Sequence, residues 1–473
     1  VSTKTAAELY QTNYAQSNCE IGIVHLGFGA FHRAHQAVYI DDYMQKSGDL
    51  NWGIAAVNLR AAEAKGFAAS AQANDGYILK TVEPNGTTAH RRVRSHVHFA
   101  DWHKDAQMVE GLLAKPSVKL VTITVTESGY YLDKDGRLDL KMSAISDEMA
   151  GEEKSTIYAY LAAALARRAI EIDEPITIAC CDNLRGNGHM LRRNFLNYLV
   201  AAQQTELADW VQTNAIFPNS MVDRITPRRS PEAQESVQAI FGANIGEVIQ
   251  SEAFSQWVIE DNFANKMPAF AAVGVEVVDD VDPYEEAKIR ILNGGHTCLT
   301  YFAALKGHAT FDQAMADPEL AAHFEGFEKL EVLPALPENL PLDTASYLKN
   351  VTLRFCNKAI ADSVERICAD GFAKFPIFIR PTIEARLESG NMPTYAIRSI
   401  ASWYCFARAF KDGRATIDYL EPNWASLLPL IEVGNVQGFS TSTALWSDLP
   451  KRFPEFAKVL FETITEMEKP WPV

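Results

Sequence analysis

Two stretches, KLVTITVTE (119–127) and ITIACCDN (176–183), constrain this chain most. Their β-branched residues run on without polar alternation, the pattern of strands buried on both faces, and STIYAYLAAALARRA between them has helical character. The same rhythm begins at IGIVHL (21–26), which meets Gly27 and passes into helical spacing from Phe31 to about Gln45, and it continues at GIAAVNL (53–59). YILKTVEP and TAHRRVRSHVHF flank Asn85-Gly86, a hairpin signal. Buried strands alternating with helices build a parallel, doubly wound sheet. From about Pro283 the pattern changes to long helical segments with few strand candidates. The expected fold is therefore α/β, with a Rossmann-type doubly wound domain over residues 1–280 and a mostly α-helical domain over 281–473.

A chain of 473 residues with 47% hydrophobic content can bury the cores of two such domains. Lys and Arg total 44 against 60 Asp and Glu, a net charge of -16, which repels a phosphate backbone or an anionic membrane surface. No nucleic acid or membrane partner is expected. The seven cysteines have no C-x-x-C spacing, and Cys180-Cys181 lies in a buried-strand run, so a reducing cytoplasm is the expected location. The start lacks an apolar signal-like run, and no uninterrupted apolar stretch reaches a membrane-spanning length, so neither export nor membrane insertion is expected.

HLGFGAFHRAHQ (25–36) sits between a predicted strand and a predicted helix. Gly27-x-Gly29 there allows a sharp turn and close approach to a pyrophosphate, so Gly27, Phe28, Gly29, Ala30 and Phe31 are candidate dinucleotide-binding residues. Glu63, just beyond GIAAVNLR, is the candidate acceptor for the adenosine ribose hydroxyls, which favours NAD over NADP, although Arg60 close by would admit a 2'-phosphate. His32 stands where a third glycine is usual. His32 and His35, at i and i+3, share a helix face, yet Cys19, His25 or a remote residue would have to supply a third zinc ligand with no recognisable spacing. Hydrogen bonding and packing under the loop is the ordinary alternative, and no metal is expected.

The second chemistry-bearing stretch is DPYEEAKIRILNGGHT (282–297), where Asp282 and Pro283 suit N-cap and N1 positions. At about 100° per residue, Glu285, Lys288, Asn293 and His296 share one side of the helix, and Lys288 to His296 spans roughly 12 Å, suited to an extended multi-hydroxyl substrate. Gly294-Gly295 cost about 1 kcal/mol each relative to alanine, which implies close approach to the backbone. Tyr284-x-x-x-Lys288 also matches the tyrosine-lysine pair of short-chain dehydrogenases, but the TGxxxGxG loop of that group is absent.

GFGAFHRAHQ, TVTESGYY, CDNLRGNGH, FPNSMVDRITPR, QWVIEDNF and K-x-x-x-x-N-x-x-H at Lys288, Asn293 and His296 together resemble the polyol-specific long-chain dehydrogenases, the group of mannitol 2-dehydrogenase, D-arabinitol 4-dehydrogenase and fructuronate reductase. The likeness runs from about residue 21 to 400, and YYLDKDGRLDL and ADGFAKFPIFIRPT are most similar to D-arabinitol 4-dehydrogenases. The resemblance implies a Rossmann domain, a helical C-terminal domain, NAD, no metal, and a nucleotide loop that carries His32 as a family feature. It also implies a catalytic set: Lys288 as general base, Asn183 and Asn293 as hydrogen-bond donors to the reacting oxygen, His296 orienting that oxygen, and Glu127 on the proton path. Arg366, Lys374 and Asp223 match positions that bind hydroxyls farther along the substrate. The expected activity is NAD-dependent interconversion of an acyclic polyol and its ketose, D-arabinitol and D-xylulose or D-mannitol and D-fructose, by a monomer or weak dimer. Fructuronate reduction, with Arg366 pairing a carboxylate, is the alternative within the family, and a non-catalytic nucleotide-binding regulator is the alternative outside it.

Overall fold

Six parallel strands form the main sheet of the computed structural model, in the spatial order His96–Asp101, Gly53–Asn58, Ile21–Leu26, Leu120–Ile123, Ile176–Cys180, Ala215–Ile216. Numbered along the chain this is the 3-2-1-4-5-6 order of dinucleotide-binding sheets, whose connections reverse direction between Ile21–Leu26 and Leu120–Ile123. The structure describes residues 8–468 apart from 73, 74, 134, 153, 228, 243 and 339.

The apolar runs are legible as strands because both faces of this sheet are covered. Val24, Ala55, Val121 and Ile178 enter one core with Tyr158, Leu161 and Leu165 of the helix Ile157–Glu171. Their chain neighbours Ile23, Ile54, Leu120 and Ala179 enter the opposite core with Tyr39, Ile40 and Met44 of the helix Gln36–Ser47. Successive side chains of a strand point to opposite faces, so both must be apolar. Adjacent Cys180 and Cys181 divide between the two cores for the same reason, and both thiols are free. Arg168, fully buried in the helix Ile157–Glu171, donates to the carbonyls of Leu113, Val118, Glu174 and Pro175 and thereby fastens the loops that feed two strands.

The Asn85-Gly86 hairpin forms between Tyr77–Val82 and Thr88–Val93, which pair antiparallel within a second sheet that also holds Leu9–Gln11 and Val248–Glu252. TAHRRVRSHVHF is not one strand. It breaks after Val93, and His96–Asp101 crosses to the edge of the main sheet. A third sheet orders Ser220–Asp223, Gln256–Glu260 and Glu276–Val278.

The chain divides into two compact units: Thr87–Asp282 with the chain before Pro84, and Pro84–Gly86 with the chain from Pro283 onward. The second is helical. Its centre is Gly294–Leu305, eleven of whose residues are buried, packed against Pro318–Phe327, Val364–Cys368 and Thr394–Lys411. Gly295 permits this packing, since a Cβ there would stand 2.8 Å from both Glu328 Oε1 and the Phe324 ring. The close approach inferred from Gly294-Gly295 is therefore made at Gly295 by the protein's own side chains. The tail contributes Pro454–Met467, which buries Phe456, Leu460 and Ile464 and packs on Thr394–Lys411. Among the described residues no helix is long and apolar enough to cross a membrane.

Candidate functional site

The strand Ile21–Leu26 ends in a turn that only glycine can make. Gly27 has φ +103°, and a Cβ on it would stand 2.3 Å from Thr124 O of the neighbouring strand end. Gly29 has an ordinary φ of -69° but faces open space, with nothing within 4 Å of where a Cβ would be, at the start of the helix Ala30–Ala34. One glycine thus serves the protein's own backbone, and the other leaves room at the C-terminal edge of the sheet, beside the point where strand order reverses. This is where the fold binds dinucleotides. Phe28 turns away onto Phe67, His96 and Phe99, with the Arg33 guanidinium 4.6 Å above its ring. Ala30 and Phe31 are half-buried, Phe31 stacked on His35.

The predicted single helix from Phe31 is broken at His35, whose ψ of -93° separates Ala30–Ala34 from Gln36–Ser47. His32 and His35 do not converge. His32 stacks on His25 at 3.3 Å and its Nε2 lies 3.0 Å from His96 Nε2, whereas His35 Nε2 donates to Gln256 O at 2.8 Å. Burial drives the pKa of His25 and His32 well below the usual histidine range and that of His96 to about 3, so the cluster is neutral. Among the described residues no group of three or more His, Cys, Asp or Glu is arranged to hold a metal ion.

At the same edge, Asp182 accepts hydrogen bonds from Val125 N, Thr126 N and Tyr130 Oη at 2.8, 3.2 and 2.7 Å. It ties the end of Ile176–Cys180 to the loop after Leu120–Ile123, in which Thr126 adopts φ +67°. Burial raises its carboxyl to about 6 despite those three donors. Glu127, next to Thr126, and Asn183, next to Asp182, are both exposed on this scaffold. In CDN it is the aspartate that does the anchoring, a role that no sequence pattern signals. Glu63 is exposed at the end of the turn Ala61–Glu63, beyond a corner at which Asn58 Nδ2 donates to Arg60 O and Asn58 Oδ1 accepts from Arg60 N. Asp223 is buried at the end of Ser220–Asp223, opposite Gln256.

In the helical unit, the stretch opening at Asp282 is not a uniform α-helix. Asp282–Ala287 is α, Lys288–Asn293 is a π turn, and α geometry resumes at Gly294. Asp280 Oδ1, not Asp282, accepts the hydrogen bond at the start, from Asp282 N at 2.9 Å. Hydrogen bonds from i to i+5 widen the turn, so each residue advances by less than 100° and the predicted angular spacing of Asn293 and His296 from Lys288 does not hold. Such turns are frequent at functional sites. Lys288 opens this one and is buried; Asn293 closes it, half-buried, its carbonyl accepting from Thr297 Oγ1 at 2.9 Å.

His296 stacks on Phe355 with ring centroids 4.1 Å apart and meets Phe311 edge-on at 4.7 Å. Its Nε2 lies 3.5 Å from Asp362 Oδ2, and burial lowers its pKa against the opposing pull of that carboxylate. Arg366 grips the same carboxylate in a fork, Nε to Oδ1 at 3.0 Å and Nη2 to both oxygens at 2.6 and 2.8 Å. Burial alone would raise Asp362; His296 and the Arg366 guanidinium outweigh it and bring the carboxyl to about 2. Lys374 Nζ donates to Ile367 O at 2.8 Å, and burial, helped by Arg366, lowers its pKa. The structure thus joins His296 and Arg366 through one carboxylate, with Lys374 farther along the same segment 362–374. The carboxylate linking the first two carried no motif by which sequence could single it out.

Residues 21–272 match the model of the mannitol dehydrogenase Rossmann domain, and residues 280–464 that of the mannitol dehydrogenase C-terminal domain. The chain belongs to the mannitol dehydrogenase family. It is accordingly an NAD-dependent oxidoreductase acting on a CH–OH group. It is 37% identical to a mannitol 2-dehydrogenase of Cereibacter sphaeroides over 86% of this chain and 85% of that one, and 35% identical to a D-arabinitol 4-dehydrogenase of Klebsiella pneumoniae over 84% and 86%. The solved structure of Pseudomonas fluorescens mannitol 2-dehydrogenase, a ternary complex with NAD and D-mannitol, superposes with a TM-score of 0.86 at 32% identity, covering 98% of this chain and 95% of that one.

Proposed function

We propose that this polyol dehydrogenase interconverts D-arabinitol and D-xylulose or D-mannitol and D-fructose, with Lys288 as the general base. The observation that carries the reading is a buried lysine opening a π turn that ends at Asn293, with His296 one turn on. A buried ammonium is disfavoured, and a neutral amine accepts a proton. The bound nicotinamide supplies a hydride acceptor. Lys288 removes the hydroxyl proton, Asn183 and Asn293 donate hydrogen bonds to the oxygen as its charge develops, and Glu127 passes the proton onward. Arg366 and Lys374 hold hydroxyls farther along the substrate, and Asp223 accepts from one. Gly27, Gly29 and the residues between and after them carry the dinucleotide in the domain of residues 1–280, Glu63 excludes a 2'-phosphate, and residues 281–473 supply the base.

Arg366 favours the polyol over the sugar acid. Its charge is already matched by Asp362, so a hexonate carboxylate would have to compete with a formed fork. The test is NADH formation at alkaline pH over D-arabinitol, D-mannitol and D-mannonate. Turnover of D-mannonate above both polyols would replace this reading with the sugar-acid one, and no turnover of any would favour a regulator.

A further inference from the structure

We propose that Asp362 is a positioning residue that fixes His296 as a hydrogen-bond acceptor toward a substrate hydroxyl and, with the same carboxylate, locks the Arg366 guanidinium. The kinetic part rests on the polyol reading above; the part concerning His296 does not.

The backbone aims this carboxylate. Ala361 just before it has φ +48°, a conformation that a non-glycine residue adopts only when its surroundings impose it. Asp362 O accepts from Phe311 N at 2.9 Å, and Val364 N donates to Ala309 O at 3.0 Å, so the segment is pinned to 309–311 on both sides of Ser363. Phe311, held by that bond, is the ring that meets His296 edge-on. Ser363 Oγ accepts from Arg366 N, which sets Arg366 one turn into Val364–Cys368 with its guanidinium over Asp362. The Asp362 side chain is 8% exposed and the Arg366 side chain 47%, so the pair presents its cationic end outward and its anionic end to His296.

The chemistry follows from which nitrogen faces the carboxylate. His296 Nε2 is buried without a hydrogen-bond partner and faces Asp362 Oδ2 at 3.5 Å; because an ionised carboxylate only accepts hydrogen bonds, it favours the proton on that nitrogen. In a neutral imidazole the other nitrogen, Nδ1, is then a lone-pair acceptor. His296 in that tautomer receives a hydrogen bond from a hydroxyl and cannot give one to a carbonyl. It therefore recognises the alcohol form of the substrate or a neighbouring hydroxyl of the ketose. Neutralising Asp362 would free both the ring tautomer and the guanidinium, which makes one residue responsible for two substrate contacts.

The experiment reads the tautomer directly. In full-length protein labelled with 15N-histidine, with the His296 signals identified by their loss in His296→Gln, the expected wild-type pattern is protonated Nε2 and unprotonated Nδ1. Protonated Nδ1 would overturn the proposal whether or not any variant folds. In Asp362→Ala the signals should move toward a mixture of tautomers. KM for the preferred polyol should rise at least tenfold with kcat changed less, and Asp362→Glu should recover part of the loss. Unchanged tautomer and KM in Asp362→Ala would reduce Asp362 to a helix-fastening ion pair. Failure of the wild type to oxidise any polyol would sink the functional reading and leave the NMR result to stand or fall alone.

Discussion

The two units build their functional features from different materials. In the sheet unit the backbone does most of the work: a glycine turn at a strand end, an opening at Gly29, and a carboxylate that holds two main-chain N–H groups. In the helical unit side chains do it, on a helix whose turn is widened between Lys288 and Asn293 and around a carboxylate shared by two of them. The first kind of feature depends on where the main chain runs, and on the few residues, such as Gly27 and Asp182, that let it run there. The second depends on which side chains meet.

The largest expected effect breaks the helical side of this comparison. Lys288→Ala should lower polyol oxidation by about 10² to 10⁴, the usual cost of losing a general base, and a small external amine should restore part of it. Tyr284→Phe should do little. A severe loss in the tyrosine variant with a mild, amine-insensitive loss in the lysine variant would transfer the acid/base role to Tyr284.

Glycine substitutions sharpen the contrast. Gly27→Ala meets Thr124 O at 2.3 Å in a conformation alanine avoids, and Gly295→Ala meets Glu328 and Phe324 at 2.8 Å, so each should cost about 1–3 kcal/mol in urea unfolding. Gly29→Ala meets nothing within 4 Å and has an ordinary φ. Its unfolding midpoint should hold while NAD affinity, followed by fluorescence, falls severalfold. An unchanged NAD affinity would remove Gly29 from the dinucleotide site.

Acid should separate the units. His25, His32 and His96 have lowered folded pKa values, so below the unfolded value of about 6.5 the unfolded chain binds protons that the folded chain refuses. Stability is then lost as pH falls from about 6.5, by about 1.4 kcal/mol per pH unit for each such group. Asp41 and Asp182 are raised and oppose this, since between about 3.8 and the folded value only the folded state holds their proton. The helical unit sets His296 and His323 against Glu328 and Glu331, both raised by burial, and comes out nearly level. Pulsed hydrogen exchange at one labelling pH, after incubation between pH 7 and 5, should show the sheet unit opening first. His96→Gln should flatten its pH dependence. Earlier opening of the helical unit would contradict this balance.

The smallest expected effect concerns Glu63. Glu63→Ala should improve use of NADP relative to NAD by a few fold, because an exposed carboxylate repels a 2'-phosphate through screened solvent. No change in that ratio would move discrimination to another residue of the corner, such as Arg60.

Local pattern was sufficient for the parallel sheet, the glycine turn and the helical second half. Strands buried on both faces cannot hide their composition, a positive φ selects glycine, and K-x-x-x-x-N-x-x-H keeps its spacing in any fold. Tertiary structure alone decided the rest. The angles expected at about 100° per residue around Lys288 shift because the packed structure holds 288–293 in i to i+5 bonding, which no residue type announces. Gly295 makes room for Glu328 and Phe324, His32 stacks on His25 and reaches His96, and Asp362 serves His296 and Arg366. Gly295 with Glu328 and Phe324, His32 with His96, and Asp362 with His296 are meetings of segments distant in the chain. Periodicity reports which face of an element is apolar, and the partner that a buried polar group finds there is set only when the elements pack.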